Sequence, residues 1–205
     1  MIKKYFAALS ATALIGVAPY ALAASSTDLT VTGIITPNAC TPSFPGGGEV
    51  NYGKIPTKDL SQTSLTRLTT QTKQLNVACG APTTFAMHVI DNRPGTTSST
   101  HFGLGLTPAD EKLGHFVPWI YNVVADGGSA RSILSVNQGN TWQLAPHIAP
   151  NQYLSVSSMT DTTPIAAENI SMDVQIRAWI ARADGLTLTD DVAIDGSMTF
   201  EMKYL

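Results

Sequence analysis

The feature that most constrains this chain is an alternation sustained over a dozen residues. In residues 170–181, Ile170, Met172, Val174, Ile176, Ala178 and Ile180 recur at every second position. Successive side chains of an extended strand point to opposite faces, so this run has one apolar face and one polar face. A helix would scatter the same six residues around its circumference. The run therefore predicts a half-buried β-strand, and such a strand needs partners. Further strands are predicted at 49–55, 73–79, 84–90, 102–106, 116–124, 132–136 and 152–157. A last one is predicted at 198–204, where Met198, Phe200, Met202 and Tyr204 alternate with Thr199, Glu201 and Lys203. The segment TPSFPGGG after Cys40 reads as a loop, as do 56–64 and 91–100. Many short strands punctuated by Gly and Pro predict an all-β sandwich.

Residues 1–23 read as a signal peptide. Lys3 and Lys4 precede an apolar run from Phe6 to Val17, and Ala21-Leu22-Ala23 fits a small-x-small cleavage site. The alternative, an uncleaved anchor, is disfavoured because the run is short for a membrane span. The expected product is exported. Its net charge moves from −3 to about −5 once Lys3 and Lys4 are gone, and no basic stripe marks a nucleic-acid partner. Charged residues make up only 13%, against roughly 25% in ordinary globular domains. That surface suits an extracellular β protein, or a subunit covered by neighbours. In an exported chain the two cysteines, Cys40 and Cys79, read as a disulfide rather than as metal ligands.

Behind the leader, residues 27–40 read TDLTVTGIITPNAC. Leu29, Val31, Gly33 and Ile35 alternate with Thr30, Thr32 and Ile34, and one side chain is missing at Gly33. This is a strand with no hairpin partner upstream, so it needs an acceptor in its own domain or in another molecule. Pro37 and Asn38 end it, because proline cannot continue a central ladder.

The search for chemistry finds no nucleophile elbow, zinc-protease motif, phosphate loop or calcium loop. His88, His101, His115 and His147 are scattered, with no carboxylate at ligand spacing. Gly46-Gly47-Gly48 reads as a flexible turn, and Asp190, Asp191 and Asp195 as solvated loop charges before a cation site. No catalytic residue, metal or cofactor is expected, and the chain does not read as an enzyme. Trp119 and Tyr121, two apart, emerge on one strand face. Inward packing of both is the simpler expectation, and a sugar platform is the sharper one. Trp142 and Trp179 invite the same pair of readings, with Trp179 opposite in facing to Ile176 and Ile180.

Taken together, the two ends of the chain resemble a chaperone–usher pilus subunit. The resemblance rests on the leader, the alternating extension with Gly33 seven residues before Cys40, and Val50-Asn51-Tyr52-Gly53-Lys54-Ile55. It rests also on the strand ending at Cys79 and on Tyr204 before the last residue. Residues 93–169 do not align with that pattern. The chain is most similar to fimbrial-like exported Gram-negative proteins grouped as a domain of unknown function.

The resemblance implies an immunoglobulin-like (pilin-type) sandwich at 40–205, lacking one strand, with a donor extension at 24–39. A donated or self-inserted strand completes the fold. Leu29, Val31 and Ile35 would then fill pockets in an acceptor, and Gly33 would pass where no side chain fits. Met198, Phe200, Met202 and Tyr204 would line the chain's own groove. The implied partners are other pilus subunits or copies of this chain, a periplasmic chaperone and an outer-membrane usher, and the implied destination is the cell surface. The implied role is structural, in a fimbria contributing to cell adhesion. The alternatives are a fimbrial-tip or exported carbohydrate-binding module, with a host glycan on Trp119 and Tyr121, and a self-complemented periplasmic monomer.

Overall fold

Alternation becomes strand almost wherever large apolar residues carry it. The computed structural model describes residues 29–33 and 39–205, and among them there is no α-helix. In chain order the strands are β1 (Cys40–Ser43), β2 (Thr66–Arg67), β3 (Gln71–Thr83), β4 (Phe85–Asp91), β5 (Phe102–Gly103) and β6 (Gly114–Ala125). They continue with β7 (Gly128–Ser129), β8 (Arg131–Ser135), β9 (Gln143–Leu144), β10 (Tyr153–Ser157), β11 (Ala167–Ile180) and β12 (Met198–Tyr204). All belong to one compact unit, Thr36–Leu205, and residues 29–33 fall outside it.

The strands form two antiparallel sheets, an all-β sandwich. One runs β1-β3-β11-β6-β5, with β2 pairing β11 and β7 pairing β6; the other runs β12-β4-β10-β8-β9. Both contribute to one core. Leu75 and Val77 of β3 and the inward residues of β11 meet Phe85, Met87 and Val89 of β4 and Leu154 and Val156 of β10. Burying each such side chain stabilises the fold by about 1.5–3 kcal/mol. β11 is the spine of the larger sheet. Its inward side chains are all buried, while Ser171, Asp173, Gln175, Arg177 and Trp179 lie half-buried on the outer face.

Three expectations are corrected. The strand predicted at 102–106 ends at Gly103, with Gly105 at φ +90°. Residues 49–55 form no strand. Gly53 takes φ +63°, the left-handed region, which interrupts an extended run. Val50, Tyr52 and Ile55 still pack against the core, but without a ladder. Conversely, the loop read after Cys40 begins as β1, paired in register from Cys40 opposite Cys79 to Ser43 opposite Asn76. Pro42 is tolerated there because β1 is an edge strand. Gly114 shows why the large sheet packs so closely at one end. A Cβ at that position would collide with the carbonyl oxygen of Trp179 on β11.

Candidate functional site

β12 is an edge strand, and its free side is the chain's most conspicuous unfinished structure. It pairs only with β4, from Met198 opposite Asp91 to Tyr204 opposite Phe85. Beyond its two ends the Asn92 amide donates to the Ser197 carbonyl at 3.0 Å and the Leu205 amide donates to the Thr84 carbonyl at 3.1 Å. Hydrogen-bonded pairs alternate along an antiparallel ladder, so Thr199, Glu201 and Lys203 also bond towards β4. Met198, Phe200, Met202 and Tyr204 consequently aim their backbone N–H and C=O groups at the open side. Among the described residues none of these groups has a backbone partner. Such an edge is a template for another strand.

Beside this edge lies a groove of about 920 Å³. Its floor is Val174, Ile176, Ala178 and Ile180 of β11 with Phe116 of β6. Met198 and Phe200 form one wall, Val50, Tyr52 and Ile55 a second, and Leu188, Val192 and Ile194 a third. Phe44 meets Phe200 with ring centroids 6.0 Å apart. Burial pushes the Tyr52 hydroxyl pKa up, and that oxygen has no hydrogen-bond partner among the described residues. Met202 packs against the core and Tyr204 is exposed, its hydroxyl accepting a hydrogen bond from the Cys40 amide at 2.9 Å. The groove thus gathers two of the four β12 residues expected there.

The third wall is a strap, residues 186–197, pinned at both ends. At one end Glu111 accepts hydrogen bonds from the Thr187 amide at 2.6 Å and from the Thr107 and Thr187 hydroxyls, each at 2.8 Å. The amide bond first, then the hydroxyls, hold the Glu111 carboxyl below the usual carboxylate range. At the other end Arg93 grips Asp195 through two bonds of 2.6 and 2.8 Å. The Asp195 amide also donates to the Leu104 carbonyl at 2.9 Å. At Gly196 a Cβ would come within 2.9 Å of Leu104 Cδ2 and 3.0 Å of Phe116 Cε1, so the strap sits too close to the core for a side chain. Asp191 bridges to Lys54 at 3.3 Å. Asp190 and Asp191 are thus solvated loop charges, while Asp195 is a structural partner of Arg93, and no group of three or more metal-ligating side chains is placed to hold an ion among the described residues.

Cys40 and Cys79 form the disulfide, joining β1 to β3. Leu29 and Val31 are 89% and 87% exposed and belong to no strand, and a Cβ on Gly33 would meet nothing within 4 Å. The leader 1–23, Ile35, Pro37 and Asn38 lie outside the described residues.

Trp119 and Tyr121 share a face, but it is the outer face of the large sheet. Inward packing is corrected: Ile120 between them is the buried residue. A bulge between β6 and β11, opposite Ser171 and Asp173, places Asn122 at φ +49° and leaves Tyr121 and Asn122 both exposed. Bulges re-aim side chains in this way. Trp119 is the start of a row that sequence reading missed. His147, His101, His115 and Trp179 follow at successive ring separations of 5.1, 6.3, 5.7 and 5.2 Å. These residues come from distant segments, so only their outward register, and not their meeting, is visible in the sequence.

A family model described as a protein of unknown function (DUF1120) matches residues 29–101. That segment begins at Leu29 and includes both cysteines and one wall of the groove. Among curated proteins, "Protein GltF" of Escherichia coli (strain K12) is 27% identical over 251 aligned positions, covering 99% of each chain. "Uncharacterized protein YhcF" of the same strain is 26% identical over 205 positions, covering 82% of this chain and 85% of its own. The chain is thus similar, across nearly its whole length, to a set of proteins whose role is not described.

Proposed function

We propose that this chain is an exported structural subunit of a surface fimbria, completed by a strand from a neighbouring subunit. The observation that carries the reading is the unpaired side of β12 lying along an apolar groove. Seven residues of β12 give an edge of about 23 Å at roughly 3.3 Å per residue. The alternating run 29–35 is also seven residues long. Backbone bonds to Met198, Phe200, Met202 and Tyr204 would supply affinity, and the apolar walls would select side chains. A periplasmic chaperone would cover the groove first, and an outer-membrane usher would exchange it for the next subunit. No bond is made or broken, so the assembly needs no catalytic group.

The test uses the chain secreted with its leader intact and run on unheated detergent gels. Ladders of polymer are expected for the natural sequence, and Gly33→Leu should abolish them. Gly185→Leu, where a Cβ would meet only the flexible Arg182 side chain at 3.9 Å, should leave them in place. Ladders that survive Gly33→Leu would remove the role given to Gly33. A strictly monomeric natural chain, in cells that supply chaperone and usher, would remove the assembly reading altogether.

A further inference from the structure

The outer face of the large sheet holds an arginine arranged as a binding group and left without a counter-charge. The Arg177 guanidinium lies over the Trp119 ring at 4.0 Å from its centroid and within 5.9 Å of the Tyr121 ring. Its Nε donates to Gln175 Oε1 at 2.9 Å and its Nη2 to the Tyr121 hydroxyl at 2.8 Å. Both acceptors are neutral. A guanidinium has five N–H donors, so most of the fork is unspent. Stacking and the two bonds fix its plane, which removes the rotamer cost that ordinarily weakens surface charge recognition.

No carboxylate lies within ion-pair range of Arg177 among the described residues. This is a local property, because acidic residues outnumber basic ones 15 to 12 over the whole chain. Asp173 shares the face, directly opposite Tyr121 in the β6–β11 register, but its carboxylate accepts a bond from Asn122 Nδ2 at 2.6 Å and makes no ion pair with Arg177. The arrangement recurs one step along. Arg67 stands 5.7 Å from the Trp179 ring centroid, and among the described residues its Nη2 donates only to the Thr70 hydroxyl, at 3.3 Å.

We infer that this face binds an acidic saccharide, with Arg177 taking a sugar carboxylate and Tyr121, Asn122 and Gln175 meeting hydroxyls. The complementary partner of a planar, unpaired guanidinium is a carboxylate, which it can hold through two parallel bonds. The face itself argues for a sugar over an extended peptide. β11 is hydrogen-bonded to strands on both sides, so there is no edge for strand addition, and recognition must run through side chains. The available groups are hydroxyl, amide and aromatic edge, the complement of a sugar ring. The second arginine beside an aromatic ring suits an oligomer that repeats its acid group. This inference is independent of strand exchange.

The experiment titrates the full mature chain with tetragalacturonate, its methyl-esterified form and tetraglutamate, by calorimetry. Tetragalacturonate should bind, and both esterification and Arg177→Gln should weaken binding about tenfold or more, the scale of a charge-assisted hydrogen bond. Arg177→Lys, which keeps the charge and loses the planar fork, should weaken it as well. The Gly33→Leu chain should bind as the natural one does. Equal affinity for acid and ester refutes the inference without recourse to any variant. So does unchanged binding in a folded Arg177→Gln chain, or no binding of tetragalacturonate, sialyllactose or a hyaluronan tetramer. Tetraglutamate binding as tightly as the saccharide would assign the face to a protein partner and overturn it.

Discussion

Replacing Phe200 with alanine separates a groove wall from an ordinary core position. Phe200 is half-buried, packed on one side against Phe44 and open to the groove on the other. Removing a fully buried Phe costs about 3–5 kcal/mol, so the chain with an empty groove should lose roughly half of that, about 2 kcal/mol. Filling the groove would bury the remainder. At most about a third of a Phe surface of roughly 200 Å² is left to cover, so up to about 70 Å² at 25 cal/mol per Å² is worth up to roughly 1.7 kcal/mol. The variant should therefore bind a peptide of residues 27–39 more weakly, by about tenfold at 1.4 kcal/mol per tenfold. The assay is peptide affinity by fluorescence anisotropy on the natural and Phe200→Ala chains, with urea unfolding to fix the loss without peptide. Leu144→Ala is the control, since β9 lies at the opposite edge of the same sheet. Peptide affinity equal in all three chains would refute the assignment of this groove as a strand acceptor, whatever the variant did to stability.

Other outcomes follow from the same geometry. Gly114→Ala should cost about 2 kcal/mol or more by overpacking against the Trp179 carbonyl. Gly127→Ala, with open space but φ +79°, should cost only about 1–2 kcal/mol; urea midpoints that rank them the other way would contradict the close approach of β6 and β11. Removing the disulfide as the double Cys40→Ala, Cys79→Ala variant frees a link between residues 39 apart in sequence, worth about 4 kcal/mol in chain entropy, again read by urea unfolding. Burial first, and a neighbouring imidazole second, hold His101 and His115 below the ordinary histidine range. A depressed folded-state pKa means that the unfolded chain takes up protons first. Stability should therefore be fully present above about pH 6.5 and fall as the pH drops through the two folded-state values. His115→Phe should flatten that slope in a series of melting curves between about pH 7.5 and 5, and an unchanged slope would clear the histidine row of the effect.

The sequence showed β3, β11 and β12 clearly because each carries large apolar residues at period two. It misread 49–55 and the segment after Cys40 for one reason: alternation reports which way side chains face, and is silent on whether the backbone finds a partner. Val50, Tyr52 and Ile55 do face the core, yet a three-residue step across Gly53 and the absence of a neighbouring strand leave them unpaired. β1 is the converse, a paired strand hidden by Pro42. The Trp119–Tyr121 face was legible as a shared face, but its direction depends on which side of β6 meets the second sheet. The partner that gives the pair its chemistry, Arg177, lies 56 residues from Tyr121 in sequence. Only the cross-strand register of β6 and β11 brings it there.

The exposures within the groove determine what kind of segment it can accept. Its floor is already covered: Val174 is 1%, Ala178 0% and Ile180 3% exposed, because the strap and residues 49–56 lean over it. A strand entering the groove therefore gains little by touching the floor. The unburied apolar surface is on the walls, at Met198, Phe200, Val50, Ile55, Val192 and Ile194, all half-buried. The strap cannot simply close that gap, since Glu111 fixes one end at Thr187 and Arg93 fixes the other at Asp195. The groove stays open because hydrogen bonds and an ion pair hold the strap at both ends, at a length set by β12. An occupant must satisfy four outward-facing backbone positions and wedge small or branched apolar side chains between walls that are held apart. That requirement matches an alternating run such as Leu29-x-Val31-x-Gly33, and it excludes a helix, which has no free backbone groups to offer the β12 edge.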